Sequence, residues 1–107
     1  MAEGDLVFFV RLDLKPEHVA AWTAAVQGVI DAMAQEPAFV SCEMARDEAD
    51  ATRFTLYERW REPTVDDFIR NQMAKPYRRE YEANLGEWLR TPRDAAILRH
   101  VAVWRRD

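Results

Sequence analysis

An α+β fold with both helices on one face of an antiparallel sheet is predicted by three features of this sequence. Apolar residues recur at every second position in four short stretches, and at spacings of three and four in the longer stretches between them. The stretches run in the order β-α-β-β-α-β, with Pro76 interrupting the second helical one. Only a short connection, opening with the polar turn Asp47-Glu48-Ala49-Asp50, separates the second and third strands, so they form an antiparallel hairpin. Together these define the split βαβ, or ferredoxin-like, pattern βαββαβ with a broken second helix.

Each element has its own signature. Residues 6–14 read as a strand with Leu6, Phe8, Val10, Leu12 and Leu14 on one face, and Val7 and Phe9 making the other face apolar near its middle. Pro16 fits the start of a helix, where its missing N–H costs nothing. Val19, Trp22, Val26, Val29, Ile30 and Met33 then form a helical stripe that Pro37 closes. Residues 38–46 form a second strand, with Phe39, Ser41, Glu43 and Ala45 on one face and Val40, Cys42 and Met44 on the other. In the third strand, 53–61, Phe54, Leu56, Glu58 and Trp60 share a face opposite Thr55, Tyr57 and Arg59. Thr64 caps the next helix, with Asp67 in the acidic position of a capping box. Pro76 restarts it with the stripe Tyr77, Tyr81, Leu85, Trp88 and Leu89, and residues 95–104 make the last strand.

Composition narrows the function. The 107 residues carry 15 Lys and Arg against 19 Asp and Glu, a net charge of −4, and 49% are apolar. That size and continuous periodicity predict one domain spanning 1–107. Three scattered glycines cannot build a phosphate-cradling loop. Without a Lys- or Arg-rich block or a long apolar run, neither nucleic acid nor membrane is an expected partner. The acidic N-terminus and the single cysteine, Cys42, fit a cytoplasmic protein. His18 and His100 lie far apart in sequence with no ligand-like repeat, so no metal site is expected. Ser41, the only serine, lacks the turn chemistry of a nucleophile elbow, and Cys42 reads as a structural thiol.

Two inferences remain. The first and last strands are apolar on both faces, which predicts a homodimer packed through its sheet faces. Glu58 alternates with Phe54, Leu56 and Trp60, and a carboxylate among apolar neighbours must be paired or protonated. Facing the helices, it would be a base with a raised pKa; otherwise it is a sheet carboxylate paired with an arginine or capping backbone N–H groups.

The strand Phe54-Thr55-Leu56-Tyr57-Glu58-Arg59-Trp60, the helix after it, the Pro76-Tyr77 break, and Lys15-Pro16-Glu17 leading into the first helix resemble the antibiotic biosynthesis monooxygenase family. The resemblance spans residues 6–104, and its sharpest motif is Glu58-x-Trp60. It implies a dimeric α/β barrel with a pocket between sheet and helices in each subunit. It also implies cofactor-independent oxidation of a small aromatic molecule, a quinol or an anthrone. Haem-degrading members use a histidine in the helix after the tryptophan and an asparagine in the first strand; residues 64–89 contain no histidine, and the first strand has Phe8, Phe9 and Val10. The catalytic candidates are therefore Glu58, Trp60, Asn71 and Tyr77, with Trp22, Phe54, Phe68, Arg70, Gln72 and Tyr81 around the substrate. Each wall residue is also an ordinary core residue by its spacing. The rival functions are a non-catalytic protein that binds a small ligand on the same fold, and a purely structural dimerisation module.

Overall fold

The computed structural model describes residues 4–106. Four strands, β1 (Leu6–Asp13), β2 (Phe39–Arg46), β3 (Arg53–Trp60) and β4 (Asp94–Arg99), form one sheet in the order β2-β3-β1-β4, antiparallel throughout. Helix α1 (Val19–Met33) follows a 3-10 turn at Pro16–His18. Helix α2 (Val65–Phe68) runs into a π-turn, Ile69–Met73, and α3 (Pro76–Trp88) follows. This is the α+β ferredoxin-like arrangement with a broken second helix. Among the described residues, no helix is long and apolar enough to cross a membrane.

The helices form because their stripes have something to cover. Trp22, Val26, Val29 and Met33 of α1 and Tyr81 and Leu85 of α3 are buried against Leu6, Val10, Leu12, Phe54, Leu56 and Trp60. The Thr64 hydroxyl accepts from the Asp67 N–H at 3.0 Å and donates to Asp67 Oδ2 at 2.9 Å, which fixes where α2 begins. A bridge between Leu14 and Leu89, with Lys15 N–H on Trp88 O and Arg90 N–H on Asp13 O, ties the end of α3 to the end of β1.

Two sequence expectations are corrected. The last strand stops at Arg99 instead of running to residue 104. Its neighbour β1 begins at Leu6, opposite Arg99, and one further bond joins His100 N–H to Asp5 O. Alternation alone cannot hold a strand that has no ladder to join. Residues 100–106 have no regular secondary structure, and Val101 and Trp104 are 93% and 89% exposed. In β2, the pairing shifts register between Phe39 and Ser41, so Phe39 lies opposite Trp60 and Ser41 opposite Arg59. This irregularity turns Phe39 to the same face as Cys42 and Met44, where its ring meets Trp60 edge-on at 5.3 Å.

Val7 is fully buried on the sheet face away from the helices, but much of that face stays open. Phe9, Tyr57 and Leu98 are each more than a third exposed there.

Candidate functional site

Toward one end, the layer between sheet and helices does not close. A cavity of about 240 Å³ lies between β1, β3 and the three helices, walled by Phe8, Val10, Val26, Met33, Leu56 and Phe68 among others. Its charged lining consists of Glu58, Arg78, Glu82 and Arg93, and Tyr81 adds a hydroxyl.

Glu58 is placed by strand period. Alternation along β3 turns Phe54, Leu56, Glu58 and Trp60 to the helices, and all four are buried. Its neighbours across the sheet are Cys42 on β2 and Phe8 on β1, with Ile97 of β4 beyond Phe8. No cation stands beside it in that row. Trp60 Nε1 donates to its Oε1 at 3.2 Å. Burial pushes its carboxyl above the ordinary glutamate range; the Trp60 N–H and the charges of Arg78 and Arg93 work against that, and Glu82 adds to it. The same burial, together with the nearby carboxylates of Glu58 and Glu43, holds the Cys42 thiol up at about 12, so it stays protonated and unreactive.

Arg78 sits in the first turn of α3 and is 6% exposed. Its guanidinium stands over Phe68 at 5.5 Å and over Trp60 and Tyr77 at 5.9 Å. Arg93 and Glu82 form a two-pronged ion pair, 3.0 and 2.9 Å, which holds the Arg93 charge firmly in place. Tyr81 accepts from Trp22 Nε1 at 3.0 Å, and burial raises its phenol to about 12, leaving it a neutral hydroxyl.

Of the residues singled out in the sequence, Glu58, Phe68 and Tyr81 meet at the cavity. Trp60 is fully buried behind Glu58 and is not part of the lining. Trp22 and Phe54 pack on each other at 4.8 Å, also outside the cavity wall. Asn71 and Gln72 both donate to Glu62, Gln72 at 2.9 Å, and Arg70 pairs with Asp67 on the surface. The Tyr77 hydroxyl donates to Glu36 at 3.3 Å, linking α3 to the residues after α1. The sequence reading missed Arg78, Glu82 and Arg93. A signal for Arg78 existed: it precedes Tyr81 by three residues and Leu85 by seven, which is the buried face of α3. No local pattern pointed to Arg93, which reaches the cavity from the connection before β4.

The family model for antibiotic biosynthesis monooxygenases matches residues 6–68, more than half of the chain. The chain belongs to the antibiotic biosynthesis monooxygenase family. Solved structures give the same fold at low identity. Rv0793 of Mycobacterium tuberculosis has a TM-score of 0.82 at 19% identity, with 94% of this chain and 98% of that one covered. A conserved protein of Methanosarcina mazei has a TM-score of 0.77 at 19% identity, covering 91% and 93%. PA3566 of Pseudomonas aeruginosa has a TM-score of 0.76 at 18% identity, covering 95% and 99%. No curated protein matches this chain. The matched segment contains Glu58, Trp60 and Phe68, whereas Arg78, Tyr81 and Arg93 lie beyond it. Among the described residues, no group of three or more His, Cys, Asp or Glu side chains is placed to hold a metal ion.

Proposed function

We propose that this chain is a cofactor-independent monooxygenase of a small aromatic substrate of the quinol or anthrone type, with Glu58 as the base. The observation that carries this reading is a carboxyl group raised by burial and exposed to an apolar cavity large enough for an aromatic molecule. A carboxylate made more basic by burial suits removal of a proton from a phenol or an activated ring CH₂. The resulting anion is electron-rich and supplies electrons to dioxygen. At an anthrone CH₂, one oxygen atom ends on the carbon as a carbonyl and the other leaves as water with that carbon's two hydrogens. At a quinol, one hydrogen of that water comes from the ring carbon and the other from a hydroxyl, leaving a hydroxyquinone. Arg78 stands where it can steady the negative charge that moves through substrate and oxygen. Trp60 orients Glu58 through its N–H, and Tyr81 offers a neutral hydroxyl.

The active form would be a homodimer packed through the open sheet faces, closing a barrel over Phe9, Tyr57 and Leu98. The exposed apolar segment at Val101 and Trp104 supports that second copy. Light scattering should show a dimer that Phe9→Glu with Leu98→Glu converts to monomer.

The deciding experiment is oxygen uptake by chelator-treated protein with a panel of hydroquinones and an anthrone, after subtracting autoxidation. Uptake should depend on protein and fall about 10²–10⁴-fold in Glu58→Gln. Its pH dependence should have an acid limb displaced above the ordinary glutamate range. Binding without any acceleration would make the chain a ligand-binding member of the fold.

A further inference from the structure

Two atoms of Arg78 are unaccounted for. Nη1 reaches the Met73 sulfur at 3.5 Å, but Nε and Nη2 are buried with no hydrogen-bond partner. No carboxylate forms an ion pair with this guanidinium among the described residues. The surrounding rings offset part of the charge, yet they do not satisfy directional N–H groups in the plane of the guanidinium. The free atoms are also a particular pair. The Nε–H and one Nη2–H run parallel along one edge of the group, forming a fork that fits two coplanar oxygens.

The charges around the cavity point the same way. Arg93 and Glu82 neutralise each other through their two-pronged pair, and Glu58 forms no ion pair with Arg78 among the described residues. Arg78 is then the one lining cation without a counter-ion among the described residues. Met73 meets the guanidinium at Nη1 and also lines the cavity, so the guanidinium lies at the cavity wall while its Nε–Nη2 edge keeps no protein partner.

We propose that the Nε–Nη2 edge of Arg78 sets the specificity of this cavity, selecting planar aromatic ligands that present two adjacent coplanar oxygens sharing one negative charge. The proposal rests on the cavity being the ligand site, as in the monooxygenase reading. An aryl carboxylate and a deprotonated ring hydroxyl beside a ketone both carry this chemistry. Apolar walls from β1, α1 and α2 take the ring.

The test is calorimetric titration of the whole protein under nitrogen at pH 8 with matched probes. One arm compares 2-naphthoate with methyl 2-naphthoate; the other compares 1,8-dihydroxyanthrone with anthrone. At least one two-oxygen probe should bind about tenfold or more tighter than its match, and the arm that does so identifies the source of the oxygens. Arg78→Lys keeps the charge and removes the fork, so it should abolish that preference, as should Arg78→Met, with the thermal transition checking that each variant folds. Equal affinity within both pairs in the wild-type protein would overturn the proposal, as would a preference that survives in Arg78→Lys. Because the titration is anaerobic, it separates the two ideas. A retained preference without oxygen uptake sinks the oxidation and leaves the fork, and uptake without preference does the reverse.

Discussion

Two buried tryptophans divide the interior of this protein. Trp22 on α1 and Trp60 on β3 are both fully buried, and each donates its indole N–H to a side chain within the core. The Trp22 end is finished: its acceptor is the neutral Tyr81 hydroxyl, Phe54 packs beside it, and Leu12 and Leu14 are fully buried. The Trp60 end is not. Its acceptor is a carboxylate lifted by burial, and beside it lies a guanidinium with two unsatisfied nitrogens. Core packing needs neither ionisable group, since an apolar residue would fill the same space at less desolvation cost. In the proposed function the unfinished end is where the ligand binds, and the finished end supplies the rigidity that holds it open.

Mutations should separate the two ends. The largest effect is expected from Trp22→Ala, which removes a fully packed indole and costs about 3–5 kcal/mol in urea unfolding. Tyr81→Phe should cost less, about 1–3 kcal/mol, because it strands the Trp22 N–H without an acceptor. A loss near zero in that variant would mean that the hydroxyl belongs to the cavity alone.

The carboxylates separate the ends by sign. Glu58 titrates above its ordinary value when folded, so the native state holds a proton that the unfolded chain has released. Stability should therefore fall as pH rises from about the ordinary 4.5 through the raised native value, and Glu58→Gln should flatten that limb. Asp13 behaves oppositely. Arg53 bonds it at 2.7 Å and holds its carboxyl below the ordinary 3.8, so its contribution is present above that value and is lost as pH falls. Asp13→Asn should give the smallest change of the four, confined to the neutral side and reduced by salt, because Arg53 is partly exposed. Denaturation midpoints measured across pH for both variants check the pair; matching slopes would break the contrast.

Much of this architecture is legible in the sequence because it depends on short-range periodicity. Alternation placed Phe54, Leu56, Glu58 and Trp60 on one face, Thr64 and Asp67 marked the start of α2, and Pro76 marked the start of α3. Local pattern failed where the outcome depended on a distant neighbour. It extended β4 past the point where β1 could pair with it, and it missed the shift that turns Phe39 inward. The site divides in the same way. Glu58 was found because it breaks an apolar row, whereas Asn71 and Gln72 looked like ligand contacts but are occupied by Glu62 ten or fewer residues away.

The sequence by itself determined which residues could be buried and in what order the elements run, since helix and strand periods are properties of a few consecutive residues. Tertiary structure alone decided which polar groups found partners. That choice brought Arg93 to the cavity from beyond α3, paired it with Glu82, and left the Arg78 fork unmatched. Hydrogen bonds and desolvation act between atoms that are close in space, whatever their separation along the chain.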